Sequence, residues 1–401
     1  MNIGLALSGG GFRATVFHLG VLARLAEERR LEDVSFISTV SGGSMCAGLV
    51  YAKSSFGWPS SNHLISQVIP QARDLLTTQD FQLGLVRRVL SSVLKAPWSI
   101  FETRADDFSA LLRERWGIAP RLCDLAEGPR WMINATCHET GKNWRFERFR
   151  MGDYVLGYTK DTDIPLSDAL AASAALPGLV GPLVVDTSSR KWFKYTEEST
   201  GIEEPPGLDA DIPAPTEPTT PAFSSVHLWD GGVYDNLGLE GLHDFEEGWR
   251  EGVDFLIVSD ASGKSRPAEY RAGPRALVRI ITGIVTDQVR ALRTRSVVDR
   301  MKSHADSPGA FVRIGNTCQK VLEQAGRQHE VARLRPGCLT GEEAGLAESM
   351  ETTARRLSAE EFDRLFRHGF EVADYTLYAY HSEQFKYIGY EKSRSRPGGP
   401  R

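Results

Sequence analysis

Two glycine-rich turns near the start of the chain carry residue types that suit acyl-transfer chemistry. The first is the run LSGGGFR at residues 7–13, and the second is the run TVSGG at residues 39–43. Three successive glycines let backbone N–H groups converge at a helix N-terminus, where the helix dipole favours negative charge. Such a turn can hold a phosphate, or the oxyanion that develops when a carbonyl carbon is attacked.

The first turn does not fit the common phosphate-binding motifs. A P-loop closes with Gly-Lys followed by Ser or Thr, and a dinucleotide fingerprint reads G-x-G-x-x-G. Neither pattern occurs at residues 7–13, which lie between an apolar run at residues 3–7 and an apolar helical pattern. The pattern predicts a strand, a tight loop and a helix. We therefore expect Gly9, Gly10 and Gly11 to form an oxyanion hole.

Ser41 lies in the setting of a nucleophile elbow. The strand-like run at residues 34–40 precedes it, and small residues follow that would let a helix pack closely. In such a strained strand-to-helix turn the serine hydroxyl is exposed for attack. The sequence departs from the usual G-x-S-x-G pattern at Thr39, where glycine avoids a Cβ clash across the elbow. Ser44 is therefore kept as an alternative nucleophile.

A serine nucleophile needs a base, and the candidate is Asp230. It ends the strand-like run HLWD at residues 227–230, and two glycines follow it. An aspartate has an ordinary pKa of about 3.9, so it must be desolvated and placed within hydrogen-bond reach of the serine to act as its base. Asp260, at the end of another strand-like run, is a rival acid. His18 is expected to be packed or capped locally in its helix rather than to complete a triad.

The glycine turn, the Ser41 elbow and the Asp230 turn follow one another along the chain in the order of the patatin-like phospholipase family, which they resemble. This family is related to the cytosolic phospholipase A fold. A fourth match is the small-residue run AASAALPG at residues 171–178, and the resemblance extends over roughly residues 1–265. The resemblance implies a lipid acyl hydrolase in which a Ser-Asp dyad replaces the Ser-His-Asp triad. No metal cluster with ligand spacing is visible among the histidines, so we expect no cofactor and no metal. Glycerophospholipid is the favoured substrate, although a neutral lipid or a thioester would use the same dyad.

Carried over residue by residue, the resemblance also implies roles. It implies Ser41 as the nucleophile and Asp230 as the base, with Gly9 to Gly11 as the oxyanion hole. Arg13 would neutralise a lipid phosphate or support the hole. The dyad chemistry needs both glycine-rich turns, because the oxyanion donors must supply much of the acceleration.

The expected fold is α/β, a three-layer patatin-like fold with a central, mostly parallel sheet between helices. We expect a single catalytic domain over residues 1–392, with the glycine loop and the Ser41 elbow at the same sheet edge. Four further segments are predicted: a helical, lid-like insertion at 61–120, a proline-rich loop at 187–225, a helical C-terminal region at 264–392 and a disordered tail at 393–401.

Two predicted helices have apolar faces with basic residues beside them. In the run at residues 81–95, one face holds Leu83, Val86, Leu90, Val93 and Leu94. This pattern favours a core-facing helix, with a lid or interfacial helix that touches lipid as the alternative.

The stretch at residues 264–302 has ten basic and three acidic residues. Its apolar face predicts a long helix on the core with arginines outward; attraction to anionic phospholipid is the alternative. That face holds Leu277, Ile280, Ile281, Ile284, Val289 and Leu292.

Composition narrows the class of protein. The chain has 401 residues, of which 41% are hydrophobic and 25% charged, and its net charge is −5. No apolar run reaches the roughly 18 residues of a membrane span, and five scattered cysteines indicate neither a zinc site nor a disulfide scaffold. These features predict a cytoplasmic protein with peripheral membrane contact, with lipid rather than nucleic acid as its partner.

Two other functions remain open at this stage. The chain could be an effector phospholipase that stays inactive until a signal or partner opens its lid, or a binding or signalling module that only holds an anion. Thr39 at the elbow is the feature that supports the binding module. A homodimer or a regulatory ligand is compatible with the sequence but is not indicated by any motif.

Overall fold

A computed structural model gives the three-dimensional structure, and it describes residues 1–95, 104–177, 180–195, 216–244, 247–263, 267, 269–270 and 273–394. The strands are β1 (Ile3–Leu7), β2 (Val34–Thr39), β3 (Arg130–Cys137), β4 (Asn143–Phe146), β5 (Met151–Asp153), β6 (Gly157–Thr159), β7 (Leu183–Asp186), β8 (Trp192–Tyr195), β9 (Thr216–Thr219), β10 (Ser225–Asp230), β11 (His243–Asp244), β12 (Gly248–Trp249), β13 (Phe255–Asp260) and β14 (Gly309–Arg313).

Helices precede, separate and follow these strands. The α-helices are α1 (Gly11–Glu27), α2 (Gly42–Ala52), α3 (Ser61–His63), α4 (Ile69–Thr78), α5 (Phe81–Lys95), α6 (Arg104–Leu111), α7 (Leu166–Ser173), α8 (Gly232–Asp235), α9 (Pro274–Arg279), α10 (Thr286–Ser303), α11 (Cys318–Gln324), α12 (Val331–Leu334), α13 (Gly341–Ser349), α14 (Ala359–His381) and α15 (Tyr390–Arg394). π-helical turns at Leu64–Val68, Leu112–Trp116 and Ile280–Val285 extend three of them.

The centre of the main sheet is parallel, with strands in the order β14, β13, β1, β2 and β3. Leu7 at the end of β1 pairs with Thr39 at the end of β2, so the turns that follow these strands leave the sheet side by side. Beyond β3 the sheet continues antiparallel through β4, β5, β6, β8 and β9, while β10 pairs antiparallel with β3 and β7. The predicted parallel sheet is confirmed; its antiparallel extension was not predicted.

Side chains that point alternately to the two faces of the sheet form one core on each face. Leu5 and Ile257 are fully buried in the larger core, which also includes the helices α1, α2 and α14. Ala6 and Val258, one position along, belong to a second core that is covered by α10 through Val297. Because successive side chains of a strand point to opposite faces, this pattern produces the three layers that the sequence predicted.

The long C-terminal helix α14 lies against α1, the helix that begins at the glycine loop. A Cβ on Gly20 of α1 would collide with the carbonyl oxygen of Phe366, and one on Gly369 would collide with that of Phe17. The two helices therefore cross at backbone contact. The predicted helical C-terminal region is confirmed, and its main helix supports the helix beneath the candidate site.

Two segment predictions need correction, and part of each segment lies outside the described residues. Residues 187–225 were expected to form a loop, but β8 and β9 form an antiparallel pair there; Pro218 is tolerated because β9 is an edge strand. The proline-rich stretch at 196–215 lies outside the described residues. At the C-terminus, Ser393 is buried and donates a hydrogen bond to Glu27 (2.6 Å), so the predicted tail starts too early. Residues 395–401 lie outside the described residues.

The helical stretch over residues 274–303 buries a different face from the one predicted. Leu277, Ile284 and Leu292, which were expected in the core, are 59%, 49% and 61% exposed. The buried side is instead occupied by Arg290, which pairs with Asp260 (3.1 Å), and by Arg293, which pairs with Glu240 (3.2 Å). Acidic groups from other parts of the chain draw these arginines inward, and the apolar side chains then face outward.

Candidate active site

The glycine loop and the Ser41 elbow meet at the carboxyl ends of β1 and β2. The Val40 N–H donates to the carbonyl oxygen of Leu7 (3.1 Å), which joins the two strand ends directly. A Cβ on Gly42 would collide with the carbonyl oxygen of Gly11, so only glycine lets the loops approach this closely. The predicted juxtaposition of the two turns is present in the structure.

Ser41 has a strained backbone. Its φ of 48° and ψ of −110° lie in a region that residues with side chains rarely adopt. The helix α2 starts directly after it, and the Ser41 N–H donates to the Ser173 hydroxyl (3.0 Å). Strain of this kind persists only where surrounding contacts enforce it. This geometry is that of a strand-to-helix elbow that holds a serine for reaction.

Asp230 lies next to Ser41 and is buried. Its carboxylate accepts the Gly232 N–H (2.7 Å) and a hydrogen bond from the Ser41 side chain. Burial raises the pKa of the Asp230 carboxyl to about 6, against the two hydrogen bonds, which lower it. A carboxylate in this state is still ionised at neutral pH, but it is a stronger base than an exposed aspartate.

A short segment after α7 ties the two halves of this pair together. The Ser173 hydroxyl accepts the Ser41 N–H, while the Ser173 carbonyl oxygen accepts the Gly231 N–H (3.3 Å). Two residues on, the Ala175 carbonyl oxygen accepts the Asp230 N–H (3.1 Å). Ser173 therefore contacts the elbow with its side chain and the aspartate turn with its backbone. The sequence indicated this segment only as a small-residue match and did not indicate the role of Ser173.

The glycine loop offers two N–H groups rather than three. Gly10 has a φ of 144° and Gly11 a φ of 61°, conformations that favour glycine. The Gly9 N–H donates to the Asn236 carbonyl oxygen (3.0 Å), and the Phe12 N–H donates to that of Thr353 (3.0 Å). The Gly9 N–H, which was predicted to be an oxyanion donor, is thus already engaged by the backbone in this structure. Within the described part of the chain, the Gly10 and Gly11 N–H groups have no backbone acceptor, and both residues line the pocket.

Arg13 holds loops together beside the glycine turn. Its Nε donates to the Ala261 carbonyl oxygen (3.1 Å), and its Nη1 donates to that of Met350. Burial lowers the pKa of the Arg13 guanidinium to about 10, although the charges of Asp260 and Glu348 oppose this. Of the two roles predicted for Arg13, its contacts match support of the hole rather than capture of a lipid phosphate.

Ser44 lies in a different environment from Ser41. Its hydroxyl is fully buried and hydrogen-bonds to the hydroxyls of Thr39 (2.9 Å) and Ser173 (2.8 Å). The Thr39 hydroxyl also accepts the Trp131 indole N–H (2.9 Å), so the residue that departs from the elbow pattern is held by polar neighbours. These contacts do not favour Ser44 as the nucleophile.

The other two titratable candidates are engaged away from Ser41. His18 is fully buried, and because its Nε2 must donate to the Ser8 carbonyl oxygen (2.9 Å), its Nδ1 accepts the Ser259 hydroxyl (2.8 Å). Burial lowers the pKa of His18 to about 4, so the ring is neutral. Asp260 pairs with Arg290. Neither residue takes part in the Ser41 cluster, which agrees with the local role expected for His18 and does not favour Asp260 as the rival acid.

A pocket of about 780 Å³ opens over these groups. Ser41, Asp230 and the glycine loop line one part of it, and most of the remaining lining is apolar, with polar residues such as Gln82 and Asp287 among it. The segment at 348–354, near the end of α13, also lines the pocket and contacts the glycine loop through Thr353. No local motif in the sequence indicated this segment. The apolar members of the lining include Met45, Phe81, Leu85, Val86, Phe108, Leu176 and Val180.

Comparisons with known proteins identify the family of the chain. The family model described as patatin-like phospholipase matches residues 5–243, more than half of the chain. The chain belongs to the patatin-like phospholipases. The family is named for lipid hydrolysis. No curated protein sequence matches the chain.

Solved structures share the fold. Human GIVD cytosolic phospholipase A2 matches with a TM-score of 0.50 and 14% identity, over 94% of this chain and 60% of that one. The same human enzyme in complex with methyl gamma-linolenyl fluorophosphonate matches with a TM-score of 0.51 and 14% identity, over 95% and 59%. This patatin-like chain thus spans about three fifths of the human protein's length, and the likeness concerns the fold alone. No described helix is long and apolar enough to cross a membrane.

Proposed function

We propose that this patatin-like protein hydrolyses fatty-acyl esters of glycerophospholipids through a dyad of Ser41 and Asp230. The observation that carries the proposal is the placement of Ser41 at a strained elbow in the same pocket as the buried Asp230 carboxylate, with which its side chain interacts. Family membership supports lipid as the substrate class, and the apolar pocket supports an acyl chain as the part that is bound.

In the first half-reaction, Asp230 takes the proton of the Ser41 hydroxyl as its oxygen attacks the acyl carbonyl carbon. The N–H groups of Gly10 and Gly11 stabilise the resulting oxyanion. When the tetrahedral intermediate collapses, the ester C–O bond breaks and Asp230 gives its proton to the departing lysophospholipid oxygen. In the second half-reaction, Asp230 deprotonates a water that attacks the acyl-enzyme. The bond between the acyl carbon and the Ser41 oxygen then breaks, Asp230 returns the proton to that oxygen, and the fatty acid is released.

The surroundings of the dyad support this chemistry. The raised pKa of Asp230 makes it a better proton acceptor, while Ser173 fixes the distance between nucleophile and base. Arg13 holds the loops beside the glycine turn in place. Peripheral contact with a membrane follows from the proposed substrate, because glycerophospholipids reside in bilayers.

The test is release of fatty acid from phospholipid vesicles by the purified protein, without any added activator. We expect release by the wild type and by Ser44→Ala, and none by Ser41→Ala. Circular dichroism and thermal unfolding of all three proteins control for folding. Release by Ser41→Ala would contradict the assignment of the nucleophile. Release by the wild type alone in buffer would also argue against an effector that needs a signal.

A further inference from the structure

Exposed apolar side chains are concentrated beside the pocket. Fourteen large hydrophobic side chains of the described residues are exposed, and six of them come from two short stretches at 83–86 and 277–285. Each of the six is between 47% and 59% exposed. We call this group the apolar rim: Leu83, Val86, Leu277, Ile280, Ile284 and Val285. Clusters of this kind mark interaction surfaces on soluble proteins.

Both parts of the apolar rim adjoin the mouth of the pocket. Val86 lines the pocket, together with the preceding residues Gln82 and Leu85 of the same helix. Val285 immediately precedes Thr286 and Asp287, which line the pocket as well. The apolar rim therefore includes one pocket-lining residue on the first helix and ends directly beside pocket-lining residues on the second.

Basic residues accompany the apolar rim. Residues 81–95 contain three basic and no acidic residues, and residues 274–303 contain seven basic and two acidic residues. Two of the seven, Arg290 and Arg293, are paired on the buried side, which leaves five basic residues in that stretch. Arg87, Arg279 and Arg295 are exposed. By contrast, the segment at 348–354, which lines another part of the pocket, carries Glu348 and Glu351. Positive charge is thus concentrated on the same helices that expose apolar side chains.

We propose that the apolar rim is the surface on which the protein docks to a phospholipid bilayer with anionic headgroups. The proposal rests on the proposed function, since it supplies the path by which an acyl chain reaches Ser41. Apolar side chains would enter the headgroup and acyl boundary while the arginines contact lipid phosphates. A second copy of the chain fits less well, because a symmetric dimer through this surface would bring like charges together.

The experiment compares two double variants of the full-length protein. Leu277→Glu with Ile284→Glu places charge on the rim, and Val155→Glu with Tyr380→Glu places the same charge at exposed apolar positions elsewhere, where Val155 is 41% and Tyr380 43% exposed. Each protein is co-sedimented with phosphatidylcholine vesicles, with and without phosphatidylglycerol. Each is also assayed on a soluble short-chain ester, and its oligomeric state is measured by analytical ultracentrifugation.

We expect the rim variant to lose about tenfold or more of its vesicle partitioning, with the control variant unchanged. Phosphatidylglycerol should strengthen wild-type binding, and added salt should reduce that gain. Hydrolysis of the soluble ester should be equal in all three proteins, which separates docking from catalysis. Equal vesicle binding by the rim variant would overturn the proposal, as would a wild-type dimer that the rim variant abolishes. A wild type that binds vesicles through the rim but hydrolyses no ester would refute the proposed function and leave the docking surface standing.

Discussion

Two buried aspartates end strands of the same sheet, and their surroundings differ in one respect. Asp230 ends β10 and Asp260 ends β13, and each carboxylate accepts the N–H of the residue two positions on, at 2.7 Å and 3.0 Å. Asp260 also pairs with Arg290 at 3.1 Å. Among the described residues, no arginine or lysine forms an ion pair with Asp230, whose further partner is the Ser41 side chain.

The comparison shows what burial does with and without a counter-charge. At Asp260, arginine compensates the buried carboxylate, and the pair anchors the helix Thr286–Ser303 to the sheet. At Asp230, burial is opposed only by hydrogen bonds, so the pKa rises to about 6. The same local turn therefore gives a structural anchor in one place and a candidate base in the other.

The largest effect is expected for Asp230→Asn. Loss of the base should lower ester hydrolysis by about a hundredfold to ten-thousandfold, while the asparagine oxygen still accepts the Gly232 N–H. The variant should also be more stable than the wild type above about pH 6. In the wild type, the folded pKa lies above the reference value of 3.8, so stability falls as pH rises from about 4 to about 6.

Thermal unfolding across this pH range checks the stability part of the prediction. The advantage of the asparagine variant should approach a few kcal/mol at pH 8 and vanish near pH 4. A variant that is less stable than the wild type at pH 8, or one that keeps full activity, would contradict the claim that Asp230, unlike Asp260, is a buried base without a counter-charge.

Asp260→Asn should have the opposite result. Arg290 would keep its pair with the partly exposed Asp287 but lose its pair with the buried Asp260, so the free energy of unfolding should fall by about 3 kcal/mol. The folded fraction should still hydrolyse ester far faster than Asp230→Asn. Denaturant unfolding and activity per folded molecule give the two readouts. An activity loss equal to that of Asp230→Asn, with stability unchanged, would contradict the assignment of Asp260 as a structural anchor and of Asp230 as the base.

A smaller effect is expected for Ser173→Ala, which removes the acceptor of the Ser41 N–H. We expect kcat to fall by about tenfold with little change in KM, because the elbow loses one restraint while the pocket is intact. Ser44→Ala is the matched control, since Ser44 contacts Ser173 but not Ser41. A change in KM alone, or equal losses in both variants, would show that Ser173 does not position the nucleophile.

The sequence predicted the parts of the site that short motifs specify. The elbow at Ser41, the glycine turn and Asp230 each lie within a few residues of the glycines and strand ends that shape them. The Gly9 N–H could not be assigned, because its acceptor, Asn236, is more than two hundred residues away. Ser173 was missed for a similar reason, since its function depends on two distant backbone groups.

The orientation of the helix Thr286–Ser303 could not be predicted from its own pattern. Its apolar periodicity indicated a core-facing helix, but the ion pairs of Arg290 with Asp260 and of Arg293 with Glu240 decide which side is buried. Such pairs form between distant parts of the chain, so periodicity within the helix carries no information about them. The strand Trp192–Tyr195 was overlooked because the proline-rich sequence that follows it indicated a loop.

The most direct test of the dyad is the rate of labelling by a fluorophosphonate probe as a function of pH, with the modified residue identified by mass spectrometry. The account predicts that the label is on Ser41. It also predicts that the rate falls about tenfold per pH unit below about pH 6 and levels off above it, because only the ionised Asp230 accepts the serine proton. A label on another serine, or a rate that does not change across this range, would contradict the dyad.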